Sequence, residues 1–162
     1  MNWIEYYQNL YHKFSQLTPL YFDCGQLCSK ICCADNDKGM ILFPHEESYI
    51  ESLSLDYRIQ ENEGYHFLFC NGSCERDFRP LACIMFPLFP FLYEDGRLDL
   101  KLDTRGKNLC PLCSVDMEEL RLQPLFRLRL FKLFTVMIKN EEISDYLKKL
   151  TLELIEIERF MF

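Results

Sequence analysis

No run of apolar residues in this chain is long enough to cross a bilayer. The longest, IMFPLFPFLY at 84–93, carries two prolines and falls well short of the roughly 20 residues a membrane helix needs. The first residues, MNWIEYYQNLYHKF, lack a basic segment followed by an apolar core, so no secretion signal is expected and a cytoplasmic protein is the default. Internal repeats, low-complexity tracts and a dividing linker are all missing, and residues 1–162 read as one domain. An excess of positive charge is missing too. Twenty-five acidic residues against 18 basic ones leave a net charge of -7, which opposes the attraction that nucleic-acid and membrane-surface binders exploit, so neither partner is expected. There is no glycine-rich phosphate loop, nucleophile elbow or dinucleotide fingerprint. Pro44-His45-Glu46-Glu47 matches the start of HExxH, but position 49 is Tyr and the second histidine is absent. His12 and His66 read as surface or satisfied core residues, and Glu46 as a helix-start carboxylate or an outer partner of a metal site. No residue is assigned as catalytic, and a protein partner is not specified.

What the chain does have is thiols. Nine cysteines stand at 24, 28, 32, 33, 70, 74, 83, 110 and 113, four of them inside CGQLCSKICC. In a reducing compartment clustered thiols bind metal more often than they form disulfides, and thiolates are soft ligands suited to zinc or iron. Cys24, Cys28 and Cys32 step by four, so on one helix they would line a single face with Cys33 pointing elsewhere. In Cys70-Asn-Gly-Ser-Cys74, Gly72 permits a tight turn that brings both sulfurs round. Cys83 follows an Arg-Pro step, and Cys110-Pro-Leu-Cys113 has a common metal-binding spacing. Counting leaves open two four-cysteine sites with one thiol over, or one cluster with accessory thiols. Arg79 and Arg105, more than Arg76 and Lys107, are expected to donate to thiolate charge.

The expected frame is mainly α with a small β-hairpin, its helices framing an irregular, cysteine-rich metal-binding region. Trp3, Tyr7, Leu10, Phe14 and Leu17 mark one face of an amphipathic helix that Thr18-Pro19 ends. Residues 35–39 read as a turn, and GMILFPHEESYIESL as a strand-like piece leading through Pro44 into a helix. Residues 65–90 fit no long regular element. FPFLYEDGRLDLKLD predicts a hairpin around Asp95-Gly96. LFRLRLFKLFTVMI predicts a helix over 125–138, apolar on most sides and hence central, with burial preferred over a partner-binding surface. Asn140 marks its end, and Ile143, Leu147, Leu150, Leu154, Ile157 and Met161 form the stripe of a last helix.

With CGQLCSKICC, GMILFPHEE, FCNGSCERDFRPLACIMFPLFP and KLDTRGKNLCPL in view, the chain resembles the YkgJ-like cysteine-cluster family, a zinc- or iron-chelating group. The likeness runs from Cys24 to Cys113. It implies one or two cysteine-ligated centres, zinc or iron-sulfur, with ligands carried onto Cys24, Cys28, Cys32, Cys33, Cys70, Cys74, Cys83 and Cys110. The first cluster departs from the commoner CxxCxxCC form, and Cys113 is extra. The function so implied is metal binding in a structural or redox-supporting role. A similar cluster in flagellin lysine-N-methylases points to the alternative, an iron-sulfur-dependent redox or protein-modification enzyme or its accessory component.

Overall fold

A computed structural model describes residues 1–34, 39–70, 72, 75–115 and 121–161. Residues 35–38 of the turn expected at 35–39, and the ligand expected at Cys74, lie outside the described residues. The fold is mainly helical with small antiparallel sheets, and no helix among the described residues is long and apolar enough to cross a membrane. The chain divides into two compact units, Met1–Thr18 with Asp23–Met85, and Pro19–Phe22 with Phe86–Phe162.

The first unit opens with α1, Trp3–Phe14, capped by the Asn2 side chain, which accepts from the Glu5 N–H at 3.3 Å. Its apolar stripe buries Tyr7, Leu10 and Tyr11. Two short helices follow, α2 at Gly25–Cys28 and α3 at Ile31–Ala34, then β1 at Met40–Ile41 and α4 at Glu46–Ser52. The strand-to-helix passage through Pro44 is as the sequence predicts. The next two strands, β2 at Arg58–Asn62 and β3 at Tyr65–Phe69, make a hairpin whose loop residues Glu63 and Gly64 have φ of 52° and 79°. Positive φ at both central positions suits the right-handed strand twist. The antiparallel sheet runs β1-β3-β2, pairing Ile41 with Phe67 and Asn62 with Tyr65. A 3-10 turn at Arg76–Phe78 and the helix α5, Leu81–Met85, complete the unit. Residues 65–90 thus hold several short elements, each no more than five residues, which explains why no long period shows there.

In the second unit the predicted hairpin is β4, Leu88–Leu92, against β5, Leu98–Leu102, with Leu88 opposite Leu102 and Gly96 at φ 83° in the turn. Every β4 residue is buried. Helix α6 spans Pro124–Met137 and α7 Glu141–Met161. The α7 stripe buries Ile143, Leu147, Leu150 and Leu154, whereas Ile157 is 40% exposed and the Met161 side chain lies outside the described residues. Thr151, also buried, accepts the Leu92 N–H of β4 at 2.9 Å. Helix α6 is not central as expected. Phe126, Leu130, Leu133, Phe134 and Met137 are buried, but Leu125, Leu128, Phe131 and Val136 are exposed. The cations Arg127, Arg129 and Lys132 interleave with that outer face, and only one side of the helix finds packing partners.

Asn140 closes α6 and caps α7, its side-chain oxygen accepting the Ile143 N–H at 3.1 Å. Asn140→Ala should lower unfolding free energy by about 1 kcal/mol, and Asn140→Asp should retain the cap, as read by denaturant titration of both variants.

Candidate metal centre

The cysteines of the first unit are brought together by a break in the helix that the four-residue spacing predicts. Helix α2 stops at Cys28 because Ser29 and Lys30 both take left-handed backbone, φ 53° and 58°, and α3 restarts at Ile31. Cys24, at the N-cap of α2, Cys28 and Cys32 therefore do not share one helix face. The Lys30 stem folds over Gly25, where an added Cβ would lie 2.6 Å from Lys30 Cγ. This packing, with the Lys30 N–H donating to the Gly25 carbonyl at 3.0 Å, fixes the break. Cys33 does not point away either, since it is hydrogen-bonded to Cys32.

These two adjacent thiols are hydrogen-bonded to each other. The hydrogen bond from Cys32 is the main reason the Cys33 thiol is held below its usual range. Lys30 and Arg79 add to this, against the opposing effects of burial and Asp23. Cys32 keeps the proton, raised by that same hydrogen bond, by burial and by the nearby charges of Cys33, Cys83 and Cys28. Cys83 comes from α5, far along the chain. Cys70, half-buried, directly follows β3, and two residues on Gly72 has φ 85° with its missing Cβ 3.6 Å from the Cys33 carbonyl oxygen. Gly72 thus lies against the Cys33 backbone in a conformation that glycine takes freely, while the rest of the turn expected between Cys70 and Cys74 lies outside the described residues.

Two residues set this arrangement. Arg79 donates from Nη2 to the Ser15 and Leu17 carbonyls at 2.7 and 2.9 Å, tying the end of α1 to the segment before α5. It serves the backbone as well as Cys33, which is more than the expected role. Glu46 is fully buried. Its carboxylate accepts the Tyr11 hydroxyl at 2.6 Å, the Leu81 N–H at 2.7 Å and the Phe43 N–H at 2.8 Å. Glu46 does start a helix, but it caps the first turn of α5 rather than its own. Burial pushes its pKa up to about 7 despite those three donors.

In the second unit, Cys110 and Cys113 are both buried, and Cys113 sits in a 3-10 turn at Pro111–Ser114. A hydrogen bond from Cys113 holds the Cys110 thiol below its usual range, to about 6, with help from the Leu112 and Cys113 N–H groups and against burial. Gly106 makes room for the pair, because a Cβ there would stand 2.6 Å from Phe86 Cζ and 2.8 Å from Cys113 Sγ. Arg105, expected beside the thiolates, is instead held by Asp103 at 2.9 and 2.7 Å and lies over the Phe89 ring. The short side chain two residues away is a closer partner than any sulfur motif implied.

The histidines carry no comparable arrangement. His12 is exposed, His45 stacks on Trp3 with ring centres 4.5 Å apart, and His66 Nδ1 stands 3.7 Å from Glu47. A cavity of about 320 Å³ in the second unit, lined by Leu92, Tyr93, Leu152 and Ile155 among others, has no thiol in its wall.

Among the described residues the cysteines are thiols, and no group of three or more His, Cys, Asp or Glu side chains is gathered at metal-holding geometry. In donor chemistry the first unit nonetheless suits a soft metal, since Cys28, Cys33 and Cys83 all act on Cys32. The chain matches no family model, no curated protein and no solved structure, so the likeness to the YkgJ-like family rests on its motifs.

Two outcomes follow from this geometry. A carboxyl whose pKa is raised on folding stabilises the fold fully below its ordinary 4.5, and that contribution is lost as pH rises through about 7. Glu46→Gln should therefore gain about 3 kcal/mol relative to the parent between those two pH values, measured as the difference of their denaturant midpoints across pH. Gly106→Ala should cost roughly 1 to 3 kcal/mol by overpacking, seen in the same titration at one pH.

Proposed function

We propose that the first unit is a cysteine-ligated metal centre, holding zinc or an iron-sulfur cluster through Cys28, Cys32, Cys33 and Cys83, with Cys24, Cys70 and Cys74 as the further thiolates the motifs supply. The observation that supports this reading is that Cys28, Cys33 and, from a distant stretch of the chain, Cys83 all act on the Cys32 thiol. A bound zinc ties loops together through charge, whereas an iron-sulfur cluster adds one-electron chemistry. The chain's own groups do the rest. Lys30 and Arg79 favour thiolate at Cys33, Glu46 anchors the helix that carries Cys83, and Gly72 lies close to the Cys33 carbonyl.

The reading has an energetic rationale. Four-thiolate zinc binding in small peptides is worth about 10 to 16 kcal/mol at neutral pH, comparable with the roughly 5 to 15 kcal/mol that stabilises a whole domain. A region built of helices four and five residues long has little hydrogen-bonded length of its own, so metal is a fitting source of its order.

Anaerobically purified protein should carry stoichiometric metal. A brown preparation with iron and matching acid-labile sulfide means a cluster, and a colourless one with zinc means a zinc site. Cys32→Ser and Cys83→Ser should each lose the metal, and chelation should lower the melting temperature and bleach the near-UV circular dichroism. Metal-free wild-type protein, or a chelated and reduced protein with an unchanged melt, would refute the assignment.

A further inference from the structure

We infer that the outer face of α6 docks on the outer face of α7 in a second copy of this chain. Residues 121–140 hold Arg121, Arg127, Arg129, Lys132 and Lys139 and no acid, inside a chain of net charge -7. The cationic surface is therefore local, and its electrostatic complement is a surface of the kind the rest of this protein presents. Apolar side chains share the same face. Leu125, Leu128, Phe131 and Val136 are exposed, and Leu128, Lys132 and Val136 recur every four residues, so they form one stripe pointing away from the buried Leu130.

Helix α7 carries the matching stripe. Leu152, Glu156 and Phe160 also recur every four residues and are all exposed, Phe160 at 91%, on the side away from the buried Leu150 and Leu154. Beside Leu152 lies the cavity of about 320 Å³, whose lining includes apolar Leu92, Tyr93 and Ile155 together with the acids Glu94 and Asp95. That gives an incoming apolar side chain a hollow and a cation an acidic edge. Elsewhere on α7 the lysines are answered along the helix, Lys148 by Asp145 at 3.9 Å and Lys149 by Glu153 at 4.0 Å. Lys132 and Glu156 have no such ion pair among the described residues.

The two stripes are in register. Set antiparallel, which opposes the helix dipoles favourably, they bring Leu128 to Phe160, Lys132 to Glu156 and Val136 to Leu152 of the second copy, one ion pair between two apolar pairs. In such a seam the apolar contacts supply affinity and the enclosed charge pair fixes register and partner. Two α6 helices face to face would instead set cations against cations. Within one chain the stripes stay apart from the core, because α6 packs on β5 and α7 on β4 through their other faces.

The test measures the mass of the full chain by sedimentation equilibrium as its concentration is raised. The wild type should associate, less so in added salt. Lys132→Glu and Glu156→Lys should each weaken association by about tenfold or more, since each sets like charges opposite one another. An equimolar mixture of the two variants restores opposite charges at every such contact, as does the double variant, and both should recover the wild-type dissociation constant. The neutral Lys132→Gln and Glu156→Gln should weaken association in the same direction but less. Each variant alone should keep the wild-type far-UV circular dichroism and metal content, because both positions are exposed and outside the cysteine motifs. A wild type that stays a single chain at every concentration overturns the inference. So does a mixture that associates no better than either variant alone. Wild-type protein that binds vesicles of phosphatidylserine and phosphatidylcholine without associating with itself would give the α6 face to a lipid surface and equally overturn it.

Discussion

A single buried carboxylate holds the first unit together. Glu46 receives a hydroxyl from α1, an N–H from the stretch just after β1 and the first N–H of α5. A charge removed from water costs several kcal/mol unless hydrogen bonds answer it. Three donors answer it here, and each comes from a segment that would otherwise be joined to the others only by apolar contact. Helix α5 has five residues, too few to persist by its own hydrogen bonds. Its position therefore depends on this carboxylate at one end, and on Arg79 binding the end of α1 two residues before it. Cys83 is carried on that helix, so the placement of this thiol is decided by a carboxylate and a guanidinium outside the cysteine motifs.

The parts of the fold written in periodicity were legible. Helix α1, the Asp95-Gly96 hairpin, the α6 and α7 spans and the Asn140 boundary all follow from apolar spacing and turn residues. What escaped is local or sidedness-dependent. The hairpin of β2 and β3 turns on Glu63-Gly64, and a charged residue at positive φ is a weak signal beside Asn-Gly. The outer face of α6 escaped because apolar residues occur all round that helix, and sequence cannot say which side meets a neighbour. Leu130 and Leu128 are alike in chemistry, yet the first is fully buried and the second 48% exposed.

The candidate sites divide the same way. That the cysteines crowd together in sequence was plain from spacing, and the motif likeness had already linked Cys83 with the first cluster, whose Cys32 it acts on. The pairing of Cys32 with Cys33 was not. It depends on two consecutive left-handed residues, Ser29 and Lys30, neither of which announces that conformation as glycine would. Nor could spacing foretell that Arg105 belongs to Asp103 or that Glu46 belongs to the helix of Cys83, since both facts need atoms from different segments at hydrogen-bond distance.

One rule connects the two thiol sites. In a chain of net charge -7, several thiolates in one place repel one another, and nearby cations are the usual remedy. Arg79 is largely committed to backbone carbonyls and Arg105 to a carboxylate, which leaves Lys30 as the cation packed closest along the chain to the Cys32-Cys33 pair. Each site instead sets one thiol as hydrogen-bond donor to the neighbouring sulfur, which favours the anion on one of the two rather than on both. The donated proton meets the demand for positive charge while two sulfurs are involved. Cys28 and Cys83 add their own charge at Cys32, and that is the demand the metal proposed above would meet. The pair in the second unit has no such crowd of described thiols acting on Cys110 beyond Cys113.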